Sequence, residues 1–234
     1  MLPDTATVKS NSQRVLDSRR SFMGLGVSGE WSSCTIGDLC IEDRIVVEPN
    51  SKLASELIYL SLEHVESVTG IILKEPSEPI EDVGRSITFR FDSRHVLYGK
   101  LRPYLNKVAT PDFEGRCTTE MIPLLPRAGV SRAYLAWLLR RPQTVKAAMR
   151  EKTGARMPRA NMKHVLSLAV SIPNSIDEQE RIAAQISERL SWVSEAKKAC
   201  YEQIELLDLF AQKILGMFPS NSQSGSNNKD KANE

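Results

Sequence analysis

The sequence contains no apolar run that approaches the roughly 20 residues needed to span a bilayer. Its opening residues, Met1 to Lys9, also lack the apolar core of a signal peptide. With 41% hydrophobic and 26% charged residues, the chain of 234 residues has the composition of a globular protein. We therefore expect a cytoplasmic protein without a membrane segment.

Cysteine pairs of the kind that bind zinc are also missing. The four cysteines, Cys34, Cys40, Cys117 and Cys200, form no Cys-x-x-Cys motif, and the three histidines do not cluster with them in the sequence. Free thiols in a reducing compartment are the usual state of such cysteines. The pattern predicts neither a metal site nor a disulfide framework.

No glycine-rich phosphate loop and no Asn-Pro-Pro-Tyr-like run of the amino-methyltransferases occurs. The nearest approach to a nuclease signature is Asp112 and Glu114 beside Arg116, because paired carboxylates near a base can hold a divalent metal. These carboxylates stand two residues apart in a predicted turn, whereas nuclease carboxylates lie on different strands, and Arg replaces the expected Lys. We assign no catalytic residue and expect this chain to bind no cofactor.

A net charge of +2 conceals a strong asymmetry along the chain. The stretch from Arg85 to Leu166 holds 17 Lys and Arg against 5 Asp and Glu, a surplus of 12 positive charges, and the remainder holds 14 basic and 24 acidic residues. Such a basic block attracts polyanions. A solvated surface is the alternative for any single charge, but the block as a whole favours contact with nucleic acid.

The basic block carries side chains suited to the grooves and phosphates of double-stranded DNA. Arg and Lys neutralise phosphates, and Arg to guanine and Asn to adenine are the usual bidentate base contacts. The candidate DNA-binding residues are Arg94, Tyr98, Lys100, Arg102, Asn106, Lys107, Arg116, Thr118, Thr119, Lys152, Arg156, Arg159 and Asn161. Spacing alone does not separate phosphate contacts from base contacts. Tyrosines such as Tyr98 and Tyr104 are more often core residues than stacking platforms, and we favour the core for Tyr104, which follows Pro103.

The pattern of apolar residues divides the chain into four parts. We interpret residues 1–29 as a polar N-terminal arm, with at most a short helix from Val15 to Phe22, and residues 30–174 as an α+β domain. Short β-rich runs recur up to Leu125, among them 57–62, 70–73, 86–91, 95–98 and 118–125, and predict a mixed, curved sheet.

Helical spacing follows in the domain. A helix is predicted from Ser131 to the stop at Pro142, a second from Pro142 to Lys152, a short one from Asn161, and then a strand from Leu166 to Ile172. Residues 175–218 form one long helix, introduced by the capping box Ser175-Ile-Asp-Glu178. Residues 219–234 lack the apolar side chains needed to pack and are predicted to be disordered.

The long helix carries a heptad repeat. One position of the seam holds Ala183, Leu190, Lys197, Ile204 and Ala211, and the other holds Ile186, Val193, Cys200, Leu207 and Ile214. At about 1.5 Å per residue the helix extends roughly 60 Å, which predicts a coiled coil with a partner helix. A single amphipathic helix folded back on the domain is the alternative.

Three segments resemble one family. Trp31-Ser-Ser-Cys-Thr-Ile-Gly-Asp-Leu39, Val96-Leu-Tyr-Gly-Lys-Leu-Arg-Pro-Tyr-Leu-Asn-Lys107 and Ile172-Pro-Asn-Ser-Ile-Asp-Glu-Gln-Glu-Arg-Ile182 resemble, in this order, the target recognition domain and conserved helical region of type I restriction-modification specificity subunits. The loop Gly154-Ala-Arg-Met-Pro-Arg159 resembles the family's DNA-side loop.

The resemblance implies a non-catalytic subunit that reads one half of a split DNA target. It also implies that the helix acts as a spacer and docks a modification subunit, which supplies S-adenosylmethionine-dependent adenine methylation, and that a motor subunit can add cleavage. This chain has one recognition domain and one helix where the full-length pattern has two of each, so we expect a homodimer through the helix or pairing with a second specificity chain. A structural adaptor without DNA specificity and a stand-alone nuclease are the alternatives.

Overall fold

The computed structural model describes residues 29–73, 86–154 and 156–216. The strands are β1 (Trp31–Thr35), β2 (Cys40–Glu42), β3 (Val46–Val47), β4 (Ile58–Leu60), β5 (Thr88–Phe91), β6 (Val96–Gly99), β7 (Val108–Ala109), β8 (Gly115–Thr118), β9 (Met121–Pro126) and β10 (Ala169–Pro173). The helices are α1 (Ile36–Leu39), α2 (Lys52–Glu56), α3 (Arg132–Arg140), α4 (Pro142–Arg150), α5 (Met162–Leu166) and α6 (Ile176–Gly216). Two short 3₁₀ helices, Leu62–His64 and Pro103–Leu105, complete the described elements.

The strands form two four-stranded sheets and a two-stranded ribbon. One sheet has the order β2-β9-β6-β7 and is antiparallel throughout, and the other has the order β3-β5-β8-β4, in which β4 and β8 run parallel. The parallel pair makes the second sheet mixed, as the sequence predicts. The predicted α+β fold class is confirmed, with the strands shared among three sheets.

The two-stranded ribbon joins the two ends of the domain. Strand β1 pairs antiparallel with β10, and Trp31 lies opposite Pro173. Residues about 140 positions apart therefore enclose the domain, and Pro173 stands three residues before the long helix begins. The ribbon thus fixes where α6 leaves the sheet region.

One apolar core lies between the sheets and the helices. The residues of helix α3 that share one face, Leu135, Leu138 and Leu139, have no exposed surface. They pack with side chains of the central strands such as Leu97 and Ile122, which are equally buried. Burial of large aliphatic side chains is the main stabilising term of the domain, at about 1.5–3 kcal/mol for each.

The helix termini follow the signals in the sequence. Ser131 caps α3, since its hydroxyl accepts a hydrogen bond from the backbone N–H of Tyr134 at 3.4 Å, and Pro142 starts α4. At the start of α6, the hydroxyl of Ser175 accepts from the N–H of Glu178 at 3.4 Å. The helices predicted from Ser131, Pro142, Asn161 and Ser175 are all present.

Three predicted strands differ in the structure. The run 70–73 contributes only an isolated bridge, between Val65 and Ile72. The run 118–125 is two strands of different sheets with a turn at residues 119 and 120, where the backbone carbonyl of Glu120 accepts a hydrogen bond from Lys100 N–H at 2.9 Å. Leu166 ends a helix, so the last strand begins at Ala169.

The chain divides into two compact units, Met1–Glu188 and Arg189–Glu234. The first turns of α6 therefore pack within the first unit, where Gln179, Ile182 and Ala183 are buried. Two predicted segments lie outside the described residues. They are the N-terminal arm with its helix at 15–22, of which only residue 29 is described, and the tail 219–234 that is predicted to be disordered. No helix among those that the structure describes is long and apolar enough to cross a membrane.

Candidate nucleic-acid interface

Two sequence motifs that are about 55 residues apart are hydrogen-bonded to each other. The backbone N–H of Arg102 donates to Pro158 O at 2.7 Å, and that of Ala160 donates to Lys100 O at 2.8 Å. Leu101 and Arg159 form a β-bridge. The Gly-Lys-Leu-Arg motif that follows β6 and the loop before α5 therefore form one surface, which we call the motif surface: residues 100–102, 152–154 and 156–159.

The backbone of the motif surface is held in uncommon conformations. Arg102 adopts the left-handed region (φ 49°) directly before Pro103, and Gly154 has φ 81°. For a residue other than glycine such a conformation costs on the order of 1–3 kcal/mol and persists only where neighbouring contacts impose it. Here the hydrogen bond from Arg102 to Pro158 imposes it, and it directs an exposed arginine to the surface.

The charges of the motif surface fall into two groups. Arg159 is bound to Glu120 by three hydrogen bonds, with Nε donating to Oε1 at 2.9 Å and to Oε2 at 3.1 Å, and Nη2 donating to Oε1 at 2.7 Å. The same carboxylate lies 3.9 Å from Lys100 Nζ. Its hydrogen bonds raise the pKa of Arg159.

The second group consists of exposed cations. Arg102, Lys152 and Arg156 are exposed, and within the described part of the chain none of the three forms an ion pair. Their charge is therefore available to an anion. Unneutralised cations at the surface are what phosphate contact requires.

Asn161 has a structural role at the edge of the motif surface. Its side-chain oxygen accepts a hydrogen bond from the N–H of Lys163 at 3.1 Å and caps α5. The residue is exposed, but its oxygen is engaged in the cap. The cap fixes the position at which the loop ends and the short helix begins.

Tyr98 and Tyr104 have exchanged the environments that we expected for them. Tyr98 is only 4% exposed because its strand is central in its sheet, and burial raises its pKa to about 12. Tyr104, which we expected in the core, is 51% exposed. Tyr98 is thus a core residue and is removed from the candidate DNA contacts, while Tyr104 stands at the surface two residues after Arg102.

Asn106 and Lys107 hold loops together. The side-chain amide of Asn106 donates to Arg140 O at 2.9 Å, and the residue has φ 51°. Lys107 Nζ donates to Leu62 O at 2.7 Å. Both side chains are partly buried and bonded to backbone, so neither lies free at the surface.

Three further candidates lie outside the motif surface: Arg116 and Thr118 in strand β8, and Thr119 directly after it. Arg116 is 4% exposed, and its guanidinium lies over the ring of Tyr59 at 5.2 Å. Its Nε is buried without a hydrogen-bond partner among the described residues, and desolvation lowers its pKa. A guanidinium buried in this way cannot make the surface contact with DNA that we expected of Arg116. Thr118 and Thr119 are partly exposed.

Arg94 forms an ion pair beside a buried histidine. Its guanidinium donates to both oxygens of Asp92, and this hydrogen bonding holds the pKa of Asp92 well below its usual range. His95 is 2% exposed and lies between Asp92, at 3.0 Å, and Asp43, at 3.1 Å. Arg94 thus stabilises its own turn, and its side chain is 70% exposed.

One of the two carboxylates that could suggest a nuclease, Glu114, is engaged in an ion pair. Glu114 is paired with Arg90, whose Nε donates to Oε1 at 2.6 Å. Among the residues that the structure describes, no three His, Cys, Asp or Glu side chains are grouped so as to hold a metal ion. All four cysteines are free thiols.

Glu120 is not among the residues that the sequence nominates for the site. The signal available was its rarity, because only 5 acidic residues occur in the block from Arg85 to Leu166. A carboxylate retained in such a block is expected to have a specific cationic partner. The basic partner of Glu120 is determined by the turn between β8 and β9, which the sequence alone does not reveal.

The second half of α6 presents its predicted seam to solvent. Ile186 is packed against the core and Leu190 is partly exposed, but from there the seam residues are largely exposed. They are Val193 (56%), Lys197, Cys200, Ile204 (53%), Leu207 (66%) and Ile214 (42%). An exposed apolar stripe of this length is typical of a contact surface for another helix.

A second apolar stripe runs along the same segment. Its members are spaced alternately by four and three residues: Trp192, Ala196, Ala199, Gln203, Leu206 and Phe210. The three large side chains are 58%, 65% and 62% exposed, in that order. The segment therefore exposes two apolar stripes, of which the heptad repeat predicts only the first.

Comparison with known proteins agrees with the motif resemblance. The chain is 27% identical over 175 residues to the type I restriction enzyme EcoDI specificity subunit of Escherichia coli, a match that covers 73% of this chain and 38% of that protein. No protein-family model matches the chain. The chain thus spans less than half the length of this curated relative.

Solved structures share the fold. A chain from a study of complex assembly and conformational transition in a type I restriction-modification system aligns with a TM-score of 0.66 and 21% identity, and the HsdS subunit from Thermoanaerobacter tengcongensis aligns with 0.59 and 19%. Each match covers 85% of this chain and 52% of the other. The expected resemblance to type I specificity subunits is confirmed.

Proposed function

We propose that this chain, which resembles part of a type I specificity subunit in sequence and fold, is the DNA-recognition subunit of a type I-like restriction-modification complex. The observation that carries the proposal is the motif surface, where two segments that resemble the family's DNA side meet and present three exposed cations. Residues 30–174 act as the target recognition domain and read one half of a bipartite target in double-stranded DNA. The segment of residues 175–218, which contains α6, is the spacer and docking element.

The chain itself performs no chemistry in this proposal. The modification subunit binds S-adenosylmethionine and methylates adenine, and a motor subunit, where present, adds cleavage. Purified chain is therefore expected neither to methylate nor to cut DNA with S-adenosylmethionine or magnesium. Turnover that is abolished by changing Asp112 or Glu114 would favour the nuclease alternative instead.

The first apolar stripe of α6 supports a homodimer. Antiparallel pairing of two copies buries the seam and gives a closed two-fold assembly, the commonest kind. Position 190 then faces 207, and 193 faces 204. Two identical domains read identical half-sites, which recur as an inverted repeat about one to two turns of DNA apart, at roughly 34–36 Å per turn.

The second apolar stripe supports docking of the modification subunit. Pairing through the first stripe leaves Trp192 and Leu206 off the seam, because both are at the outer c position of the heptad, whereas Phe210 at g flanks the seam. A helix of the modification subunit is the partner that the resemblance implies. Leu206→Asp should then prevent co-purification with the modification subunit and leave the dimer intact.

A salt titration of DNA binding distinguishes a DNA-recognition subunit from the alternative, a structural adaptor whose basic surface does not bind DNA. Each phosphate contact contributes about 0.9 to the slope of log affinity against log salt. Arg102→Ala and Arg156→Ala should each lower that slope by about one and weaken binding to all sequences alike. The matched control is Lys52→Ala, an exposed lysine outside the motif surface.

Unchanged affinity in both arginine variants would place the DNA elsewhere on the chain. The absence of salt-dependent binding in the unaltered protein would favour the adaptor.

A further inference from the structure

Arg159 and Glu120 form a pair in which only one edge of the guanidinium is used. Nε and Nη2 donate to the carboxylate at 2.7–3.1 Å. The remaining polar contact, from Nη1 to Met157 O, is long at 3.4 Å. The outer edge, formed by Nη1 and Nη2, thus retains donors that point away from Glu120, and the side chain is 41% exposed.

Both members of the pair are fixed by their backbones. Arg159 exchanges two hydrogen bonds with Thr153, at 2.8 and 2.9 Å, and forms a bridge with Leu101. The carbonyl of Glu120 accepts from Lys100 N–H at 2.9 Å. The direction of the free edge is therefore set before any ligand binds, which reduces the entropy lost on binding.

A carboxylate partner changes what an arginine is suited to bind. Phosphate contact depends on net positive charge, and Glu120 neutralises that charge. Recognition of a base edge depends on the direction of the donors, and two parallel N–H groups match O6 and N7 of guanine in the major groove. Arg102 and Arg156 have no carboxylate partner within the described residues and keep the charge that phosphates need.

We propose that Arg159 reads a guanine of the target and that Glu120 is the positioning residue that aims it. The inference rests on the proposed DNA recognition and adds the division of labour within the motif surface. Arg102, Lys152 and Arg156 contact phosphates, whereas Arg159 contacts one base. One position of the half-site is accordingly guanine.

Selection from a duplex library with a randomised central segment tests the inference on the full chain. Arg159→Ala, and Arg159→Lys, which keeps the charge but lacks the planar fork, should each lower the preference for guanine at one position by roughly ten- to hundredfold. Arg159→Lys should retain its affinity for a duplex without the selected motif. Glu114→Gln is the control, because it removes the carboxylate from another arginine pair of the same domain, Arg90–Glu114.

Glu120→Ala separates positioning from a merely structural role. The variant should lose preference for the same guanine, since Arg159 is no longer aimed. Its affinity for the motif-free duplex should rise and its salt slope should steepen by about one, because a negative charge leaves the surface. A structural role would instead weaken specific and non-specific binding together.

The outcomes distinguish this inference from the proposed function. A motif without guanine, or one whose base preferences survive in Arg159→Ala and Glu120→Ala, overturns the inference and leaves DNA recognition standing. A parallel loss of both kinds of binding in Glu120→Ala overturns the positioning role. An unaltered chain that enriches no motif contradicts the proposed function and the inference with it.

Discussion

The side-chain oxygen of Gln179 accepts a hydrogen bond from the backbone N–H of Ser131 at 2.8 Å. Its amide nitrogen donates to Pro173 O at 2.9 Å and to Gly129 O at 3.1 Å. Gln179 is 1% exposed, so one buried side chain satisfies three backbone groups, two of them in the buried residues Ser131 and Pro173, where β10, the start of α3 and the start of α6 meet. Gln179, which belongs to the family-like segment from Ile172 to Ile182, therefore attaches the start of the long helix to its domain.

Replacing Gln179 should destabilise the domain. Gln179→Ala leaves buried backbone groups without partners, and we expect the free energy of unfolding to fall by about 2–3 kcal/mol. Urea denaturation followed by circular dichroism measures the change. Gln212→Ala, an exposed glutamine on the same helix, should change stability by less than about 0.5 kcal/mol; similar losses in both variants would contradict this role for Gln179.

The seam of α6 should control oligomeric state. Leu207→Asp places a charge in the proposed dimer contact, and light scattering should then report a monomer of about half the mass of the unaltered assembly. Gln212→Asp introduces the same residue outside both apolar stripes and should leave the dimer intact. An unaltered chain that is already monomeric would instead indicate pairing with a second specificity chain.

Two cysteines should react only after unfolding. Cys40 is 2% exposed and burial raises its pKa to about 12, while Cys117 is fully buried and its pKa is raised by the same cause. Because the thiolate is the reactive form, a maleimide at pH 8 should leave both unmodified in native protein, as mass spectrometry of peptides can show. Cys200 in the dissociated Leu207→Asp variant is the reactive control, and rapid labelling of Cys117 would contradict the described core.

Asp92 should make stability depend on acid pH. Hydrogen bonds from Arg94 hold its folded pKa below the ordinary value of 3.8, so the carboxylate stabilises the fold above that pH and the contribution disappears as pH falls further. Asp92→Asn should therefore be less stable near neutrality, and the difference from the unaltered protein should narrow below about pH 4. Arg94→Gln should raise the pH at which the stabilisation by the Asp92 carboxylate is lost. A difference in the free energy of unfolding between Asp92→Asn and the unaltered protein that stays the same at every pH would contradict the assignment.

Local patterns in the sequence were enough to predict the helices from α3 onward, but not the short helices α1 and α2. The face of Leu135, Leu138 and Leu139 and the proline at 142 define α3 and α4. Capping by Ser175 and the unbroken heptads define α6 to within a few residues. In each case the signal lies within one or two helical turns, where sequence spacing translates directly into a shared face.

Contacts between distant residues were not predictable in the same way. The pairing of β1 with β10, the separation of residues 118–125 into two sheets and the burial of Tyr98 depend on which strands become neighbours. At the motif surface, residue types and motifs nominated Lys100, Arg102, Arg156 and Arg159. The pairing of Arg159 with Glu120 required the turn between β8 and β9, whose position no local pattern specifies.

The most direct test of DNA recognition is methylome sequencing of cells that carry this chain together with its modification subunit. We expect methylated adenine in one interrupted motif, which disappears when this chain is deleted and is palindromic if the chain acts as a homodimer. Arg159→Ala should relax the motif at a guanine. A methylation pattern that is the same with and without this chain would contradict the proposal that it specifies the target.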